Sequence, residues 1–187
     1  AALLYLPQFM MKRLGYSAIE AGAGLLPMMG VFAVTSFIAG PLYNRLGAKI
    51  VVTTGALALA AGMFLLSVIA ESSPYTALIP GMAVLGIGVG LFYSSITTAG
   101  VTALDKSRSS LAGAIIYMAQ IAGGSIGLGL NTAIVVSATP LAAGISTAFF
   151  VDGCLAVGGL LVVLFFVGGK LDREKLEGII HYHRAHG

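Results

Sequence analysis

Charge is what this sequence most conspicuously lacks. Only 9% of its residues are Asp, Glu, Lys or Arg, against about 25% in an ordinary soluble domain; 58% are hydrophobic and the mean hydropathy is +0.98. A chain of 187 residues cannot hide that much apolar surface from water in a core, so the remainder must face a bilayer. Cysteine is nearly missing as well. The single Cys154, set in an apolar run, excludes an intramolecular disulfide and a zinc cage of cysteines. No Ser/His/Asp set and no pair of carboxylates falls at membrane depth, which leaves no machinery for an intramembrane hydrolase. His181, His183 and His186 have spacings a metal could use, but they read as part of a solvated tail. We therefore expect neither an enzyme nor a metal site. The net charge of +3 comes from cations in short loops and the tail rather than on one continuous face, so nucleic acid is not an expected partner.

The opening "AALLYLPQFMM" has neither an initiator methionine nor a basic region before it, which argues against a cleaved signal peptide. Its eleven residues, at a rise of ~1.5 Å each, cross about half of a ~30 Å hydrocarbon core. The chain is expected to begin in mid-helix, as a fragment whose upstream part is missing. Five apolar segments long enough to span follow, over 20–42, 49–70, 75–100, 109–136 and 146–168. Polar connections separate them. In the first, Ser17 and Glu20 have the spacing of a capping box that opens the next helix. The others are "GPLYNRLGAKI" from Gly40, "ESSPY" from Glu71, "TALDKSRSS" from Thr102 and "SATPLAAGIS" from Ser137.

Orientation follows from the cations, because Lys and Arg are retained on the cytoplasmic side. Arg45, Lys49, Lys106, Arg108, Lys170, Arg173, Lys175 and Arg184 share one side, and only Lys12 and Arg13 fall on the other. The loop 43–49 and the tail 170–187 should thus be cytoplasmic, in a multi-pass protein of the cell membrane.

Three features within the spans carry chemical interest. Gly86/Gly90 and Gly123/Gly127 are small-xxx-small pairs, which let two helices approach closely in lipid; strings such as "GIGVG" lack the strand that a dinucleotide fingerprint needs before it. Tyr117, Gln120, Gly124, Gly127 and Asn131 recur at spacings of three and four, on one face of a helix. Gly86, Gly90, Tyr93 and Thr97 repeat the pattern. Polar groups facing lipid are costly, so these faces look onto other helices or a wet cavity. Asp152, in "FFVDGCLAVGG", is the one acidic residue well inside an apolar span. A central charge costs about 2.5–3.5 kcal/mol on insertion scales, which makes Asp152 a candidate proton site. Counted from a span starting at 146, it falls within two turns of the outer boundary.

"GPLYNRLGAKI" resembles the short-loop signature of the major facilitator superfamily, Gly-x-x-x-Asp-Arg-x-Gly-x-Lys. Gly40, Arg45, Gly47 and Lys49 match, and Asn44 stands at the acidic position with a side chain still able to cap a helix. In that family the loop is cytoplasmic and helps hold one conformation of the alternating-access cycle by ion pairing. "LGYSAIEAGAGLLPM", "GIGVGLFYSSITTAG" and "AQIAGGSIGLGL" are similar to the C-terminal half of the fourteen-span drug:proton antiporters, a likeness running from Ala1 to about Gly169. Tyr117 and Gln120 depart from that group, which often has Asn and Arg at these places.

The resemblance implies an all-α fold: residues 1–169 form the six-helix C-terminal half of a major facilitator, its first helix truncated, and 170–187 a cytoplasmic tail. It implies that 1–11, 20–42, 75–100 and 109–136 line a cavity near the bilayer midplane, with 49–70 and 146–168 peripheral. The expected function is secondary-active, proton-coupled efflux of amphipathic small molecules. Its cavity candidates are Tyr5 and Gln8 on the first helix, Met29, Phe32 and Ser36 on the second, Tyr93 and Thr97 on the fourth, and Tyr117, Gln120 and Asn131 on the fifth. No cofactor is expected, the proton gradient being the energy source. The expected partners are the lipid bilayer, the small-molecule substrate and the missing N-terminal half. A proton-coupled carrier of one metabolite, or a non-transporting module packing through its glycine pairs, are the alternatives.

Overall fold

Each long apolar run becomes a helix, because a backbone in lipid must satisfy its hydrogen bonds within its own segment. The structure, a computed structural model, describes residues 2–68, 73–102 and 109–166. Within them lie α1 (Ala2–Arg13), α2 (Ala18–Ala23), α3 (Leu26–Leu46), α4 (Ala48–Ser67), α5 (Tyr75–Thr102), α6 (Ser109–Ser137) and α7 (Leu141–Phe166). Residues 18–46, 48–67, 75–100, 110–137 and 141–165 are each long and apolar enough to cross a membrane. Side chains such as Phe37 and Phe165, 89% and 81% exposed, turn outward where lipid rather than water would receive them. Lys106, Arg108 and the tail 170–187 lie outside the described residues.

The start of the second span is set locally. Ser17 Oγ accepts from the Glu20 backbone N–H at 3.3 Å, and the Glu20 carboxylate accepts from the Ser17 N–H at 2.8 Å, the reciprocal capping box expected from their spacing. The span is then interrupted. α2 ends at Gly24, and α3 resumes with Pro27 in its first turn, where a missing N–H does no harm. The Tyr75 hydroxyl donates to the Gly24 carbonyl across this break at 2.9 Å.

The last connection is shorter than expected. α7 starts at Leu141 rather than near 146, because Pro140 opens the helix: the Pro140 carbonyl accepts from Ala143 and Gly144. Residues 141–145, whose neighbours Pro140 and Ser137 gave the segment a loop-like composition, are its first turn.

Glycines set the tightest packing. α4 and α5 run antiparallel, with Gly55 against Phe92, Gly62 against Leu85, Gly88 against Leu59 and Gly81 against Leu66. A Cβ on Gly62 would lie 2.7 Å from the Leu85 backbone nitrogen. The second side of α4 packs on α7, where Gly153 receives the Phe64 ring and Ser146 donates to the Ser67 carbonyl. α3 packs on α5, and α1 reaches α7 and α2. The core they enclose centres on Leu6, Phe9, Met10, Leu66, Met82 and Phe149.

Candidate functional site

α3 approaches α5 through Gly86 and Gly90, as their spacing suggests. A Cβ on Gly86 would lie 2.6 Å from the Met28 carbonyl oxygen, and one on Gly90 would collide with the Thr35 hydroxyl. Thr35 donates to the Val31 carbonyl of its own helix (2.7 Å) and can swing to the Gly86 carbonyl across the interface (3.3 Å). Beside this contact lies a cleft of about 340 Å³, lined by Ala2 and Leu3 of α1, Met28, Met29 and Phe32 of α3, Met63 of α4, and Leu85, Gly86 and Val89 of α5. Its walls are almost wholly apolar. Met29 and Phe32 are thereby brought together, and Met63 joins them from the 49–70 segment, which the resemblance made peripheral.

A second, polar cluster ties α6 to α1 and α7. Thr132 donates to the Leu128 carbonyl at 2.8 Å, so in its 2.9 Å contact with the buried Tyr5 hydroxyl it is the tyrosine that donates. Asn131, 1% exposed, donates through Nδ2 to the Gly127 carbonyl and to Asp152 Oδ1, both at 2.9 Å. Its Oδ1 is buried with no hydrogen-bond partner among the described residues. Asp152 is not near the outer end of its span. It lies eleven residues beyond Leu141 in a helix of 26, about 16 Å along its axis, and the earlier helix start accounts for the difference. The pairing also joins a residue of the helix presumed peripheral to one on a presumed cavity helix.

Between its ends, α6 stands apart. Of its described side chains only Ala112, Asn131 and Val135 are buried. Near one end Ile116 meets Gly100 of α5, and near the other Val135 meets Gly144 of α7. At Gly123, Gly124, Gly127 and Gly129 an added Cβ would have nothing within 4 Å. The close packing expected at Gly123/Gly127 is therefore not made among the described residues: these glycines face open space, because α6 crosses its neighbours near its ends.

The other candidates do not converge on one chamber. Gln8, Ser36 and Gln120 are half-buried, while Tyr117 is 61% exposed and Tyr93 is also exposed. Thr97 donates back to the Tyr93 carbonyl at 2.8 Å, which occupies its proton within its own helix. Among the described residues no three His, Cys, Asp or Glu gather as metal ligands.

The loop signature folds into a one-residue connection. α3 runs to Leu46, Gly47 takes φ +84°, and α4 begins at Ala48, so Gly47 supplies a conformation that L side chains rarely adopt. Gly40 does not share that role: it sits inside α3 with open space where a Cβ would go. Asn44 lies in the last turn of α3 and is exposed. It caps nothing, because Gly47 serves as N-cap of α4 with no side-chain bond. Arg45 and Lys49 are exposed at the same connection.

Residues 1–181 match the sequence profile of the Major Facilitator Superfamily. The chain belongs to that superfamily. Relatives of this major facilitator include the multidrug resistance protein Stp of Mycobacterium tuberculosis, 31% identical over 67% of this chain and 23% of the relative. The multidrug transporter protein MdtP of Bacillus subtilis is 30% identical over 68% of this chain and 24% of its own length. The puromycin resistance protein pur8 of Streptomyces alboniger is 29% identical over 90% of this chain and 34% of its length. This facilitator thus spans between about a quarter and a third of the length of these relatives. It is a multi-pass membrane protein of a transporter family, not an enzyme.

Sequence reasoning missed Thr35, Tyr75 and Thr132, which bond between helices, and the seven-residue spacing of Gly55/Gly62 and Gly81/Gly88, which packs α4 on α5. That spacing was a readable signal. The hydroxyls gave none, since Ser and Thr more often bond back to their own helix, as Thr54 and Thr147 do here.

Proposed function

We propose that this chain is one half of a secondary-active transporter that exports amphipathic small molecules in exchange for protons, by alternating access. The observation that carries the reading is the apolar cleft beside the α3–α5 contact. Met28, Met29 and Met63 with Phe32 offer area and adaptability without fixed polar partners, the surface suited to ligands that share only amphipathic character. The names of the relatives, which speak of multidrug and puromycin resistance, support the same substrate class. The free middle of α6 would be closed by a second six-helix half, with substrate held between the halves near the midplane. Arg45 and Lys49 would keep their turn in the cytoplasm.

The test is transport by the protein in liposomes under an imposed proton gradient. Accumulation of an amphipathic cationic dye, with Phe32→Ala changing its KM several-fold more than that of a smaller substrate, is the expected result. Movement of a polar metabolite alone would overturn the reading in favour of a specific carrier, and movement of nothing would leave a packing module. Orientation is tested by Ala48→Cys: an impermeant thiol reagent should label it in inverted vesicles and not in intact cells.

A further inference from the structure

We propose that Asp152 and Asn131 form a proton-binding site whose occupied state is a two-bond acid–amide ring fastening α6 to α7. The orientation of the Asn131 amide is fixed by its surroundings. Nδ2 faces two acceptors, the Gly127 carbonyl and Asp152 Oδ1, each at 2.9 Å, and the reverse orientation would set an acceptor against both. Oδ1 is therefore left buried with no donor among the described residues. An ionised carboxylate is acceptor-only, so it takes the amide bond and returns nothing. A neutral carboxyl keeps its C=O on Nδ2 and carries an O–H on its other oxygen. Since Oδ1 and Nδ2 hang from one carbon, a coplanar carboxyl bonded to Nδ2 presents that O–H to Oδ1. Uptake of one proton turns one hydrogen bond into two, and removes the orphan acceptor and the uncompensated charge together.

Among the described residues no cationic side chain competes with the proton. α6 and α7 contain no Lys, Arg or His in their described lengths. The titratable groups facing or sharing these helices are few: Tyr117 lies fourteen residues along α6, and Cys154 on α7 is exposed. On α4, Phe64 covers neighbouring Gly153, and the helix's one charge, Lys49, is fifteen residues further on. On α1, Tyr5 is engaged with Thr132, and Lys12 and Arg13 sit at the far end. The inference rests on the transport reading for its purpose, supplying a proton site for the exchange, while its chemistry is testable with no substrate present.

Spin labels at the exposed Val136 and Leu155 of the protein in lipid report the α6–α7 separation as pH is varied. The expected result is a narrow distance distribution at low pH that broadens reversibly at high pH. In Asp152→Asn, whose amide makes both bonds in every condition, it should stay narrow throughout. Infrared difference spectra supply the second measurement: a protonated-carboxyl C=O band that disappears in Asp152→Asn and moves to the position of an unbonded acid in Asn131→Leu. A pH response retained in Asp152→Asn, or an acid band indifferent to Asn131→Leu, would overturn the site. If both signatures appear while liposomes show no proton-driven transport, the site stands and the transport reading falls. Proton-driven transport unchanged in Asp152→Asn, with neither signature present, does the reverse.

Discussion

Two regions of this molecule are equally rich in glycine and use it in opposite ways. On the α4–α5 interface Gly55, Gly62, Gly81 and Gly88 each receive a bulkier residue of the facing helix, so closely that a Cβ would meet backbone or side-chain atoms at 3.1 Å or less. On α6, Gly123, Gly124, Gly127 and Gly129 receive nothing from the described residues. The glycine content does not distinguish them; what stands opposite does. In lipid there is no hydrophobic force between helices, so association comes from van der Waals contact and hydrogen bonds. α4 and α5 rely on the first, through backbones brought near by missing side chains. α6 relies on the second near one end, through Asn131 and Thr132, and leaves its middle free. In the alternating-access reading proposed above, a helix fastened at its ends and free between them would suit lining a space that changes shape, and a glycine-locked pair would suit the frame.

The strongest way to break this contrast is one substitution made in both regions. Gly62→Ala places a methyl 2.7 Å from the Leu85 nitrogen, and because the obstacle is backbone the helices must separate. We expect a loss of about 1–3 kcal/mol, the usual range for overpacking, seen as a lower midpoint in denaturing-detergent unfolding and less folded protein in the membrane. Unchanged stability would mean that the α4–α5 contact is looser than described, and the contrast would disappear.

Next in size is Tyr5→Phe, which removes the hydroxyl that donates to Thr132 and nothing else. A typical hydrogen bond contributes about 1 kcal/mol, and since Thr132 keeps its bond to Leu128 no donor is orphaned. The expected outcome is a loss of up to about 1 kcal/mol, with faster hydrogen exchange near the C-terminal end of α6 and no change in α4 or α5. A uniform loss of protection across all helices would show that α6 belongs to the same cooperative unit as the frame.

The spans and the class were readable because they depend on composition alone, and the Ser17–Glu20 cap because both partners lie within one turn. Asp152 was misplaced for an identifiable reason. Ser137, Thr139 and Pro140 give that stretch the composition of a loop, and only the hydrogen bonds from Ala143 and Gly144 to the Pro140 carbonyl show the helix beginning five residues early. Its partner was a different kind of problem. Asn131 was picked as a polar residue on a face turned to other helices or a wet cavity, but periodicity gives a face and not the neighbour on it, and the neighbour, Asp152, came from the loop length that had been misjudged. Gly123/Gly127 make no close contact among the described residues for the same reason: a small-xxx-small pair is permission for contact, and whether contact occurs depends on where the helix crosses others.

The smallest effect, and the one that sharpens the comparison most, is Gly124→Ala. With nothing within 4 Å of the new methyl, the change costs no contact, and in a helix interior alanine is favoured over glycine by about 0.5–1 kcal/mol because less backbone entropy is lost on ordering. Gly124→Ala should therefore raise the unfolding midpoint slightly where Gly62→Ala lowers it, a reversal of sign from an identical chemical change. The second half of the prediction concerns transport. If the free face of α6 borders the substrate space, enlarging the same position to Gly124→Leu should leave stability near that of Gly124→Ala while lowering uptake in liposomes, more for large substrates than for small ones. Loss of stability in both variants would instead place another helix against this face, and α6 would then be packed along its whole length as tightly as α4.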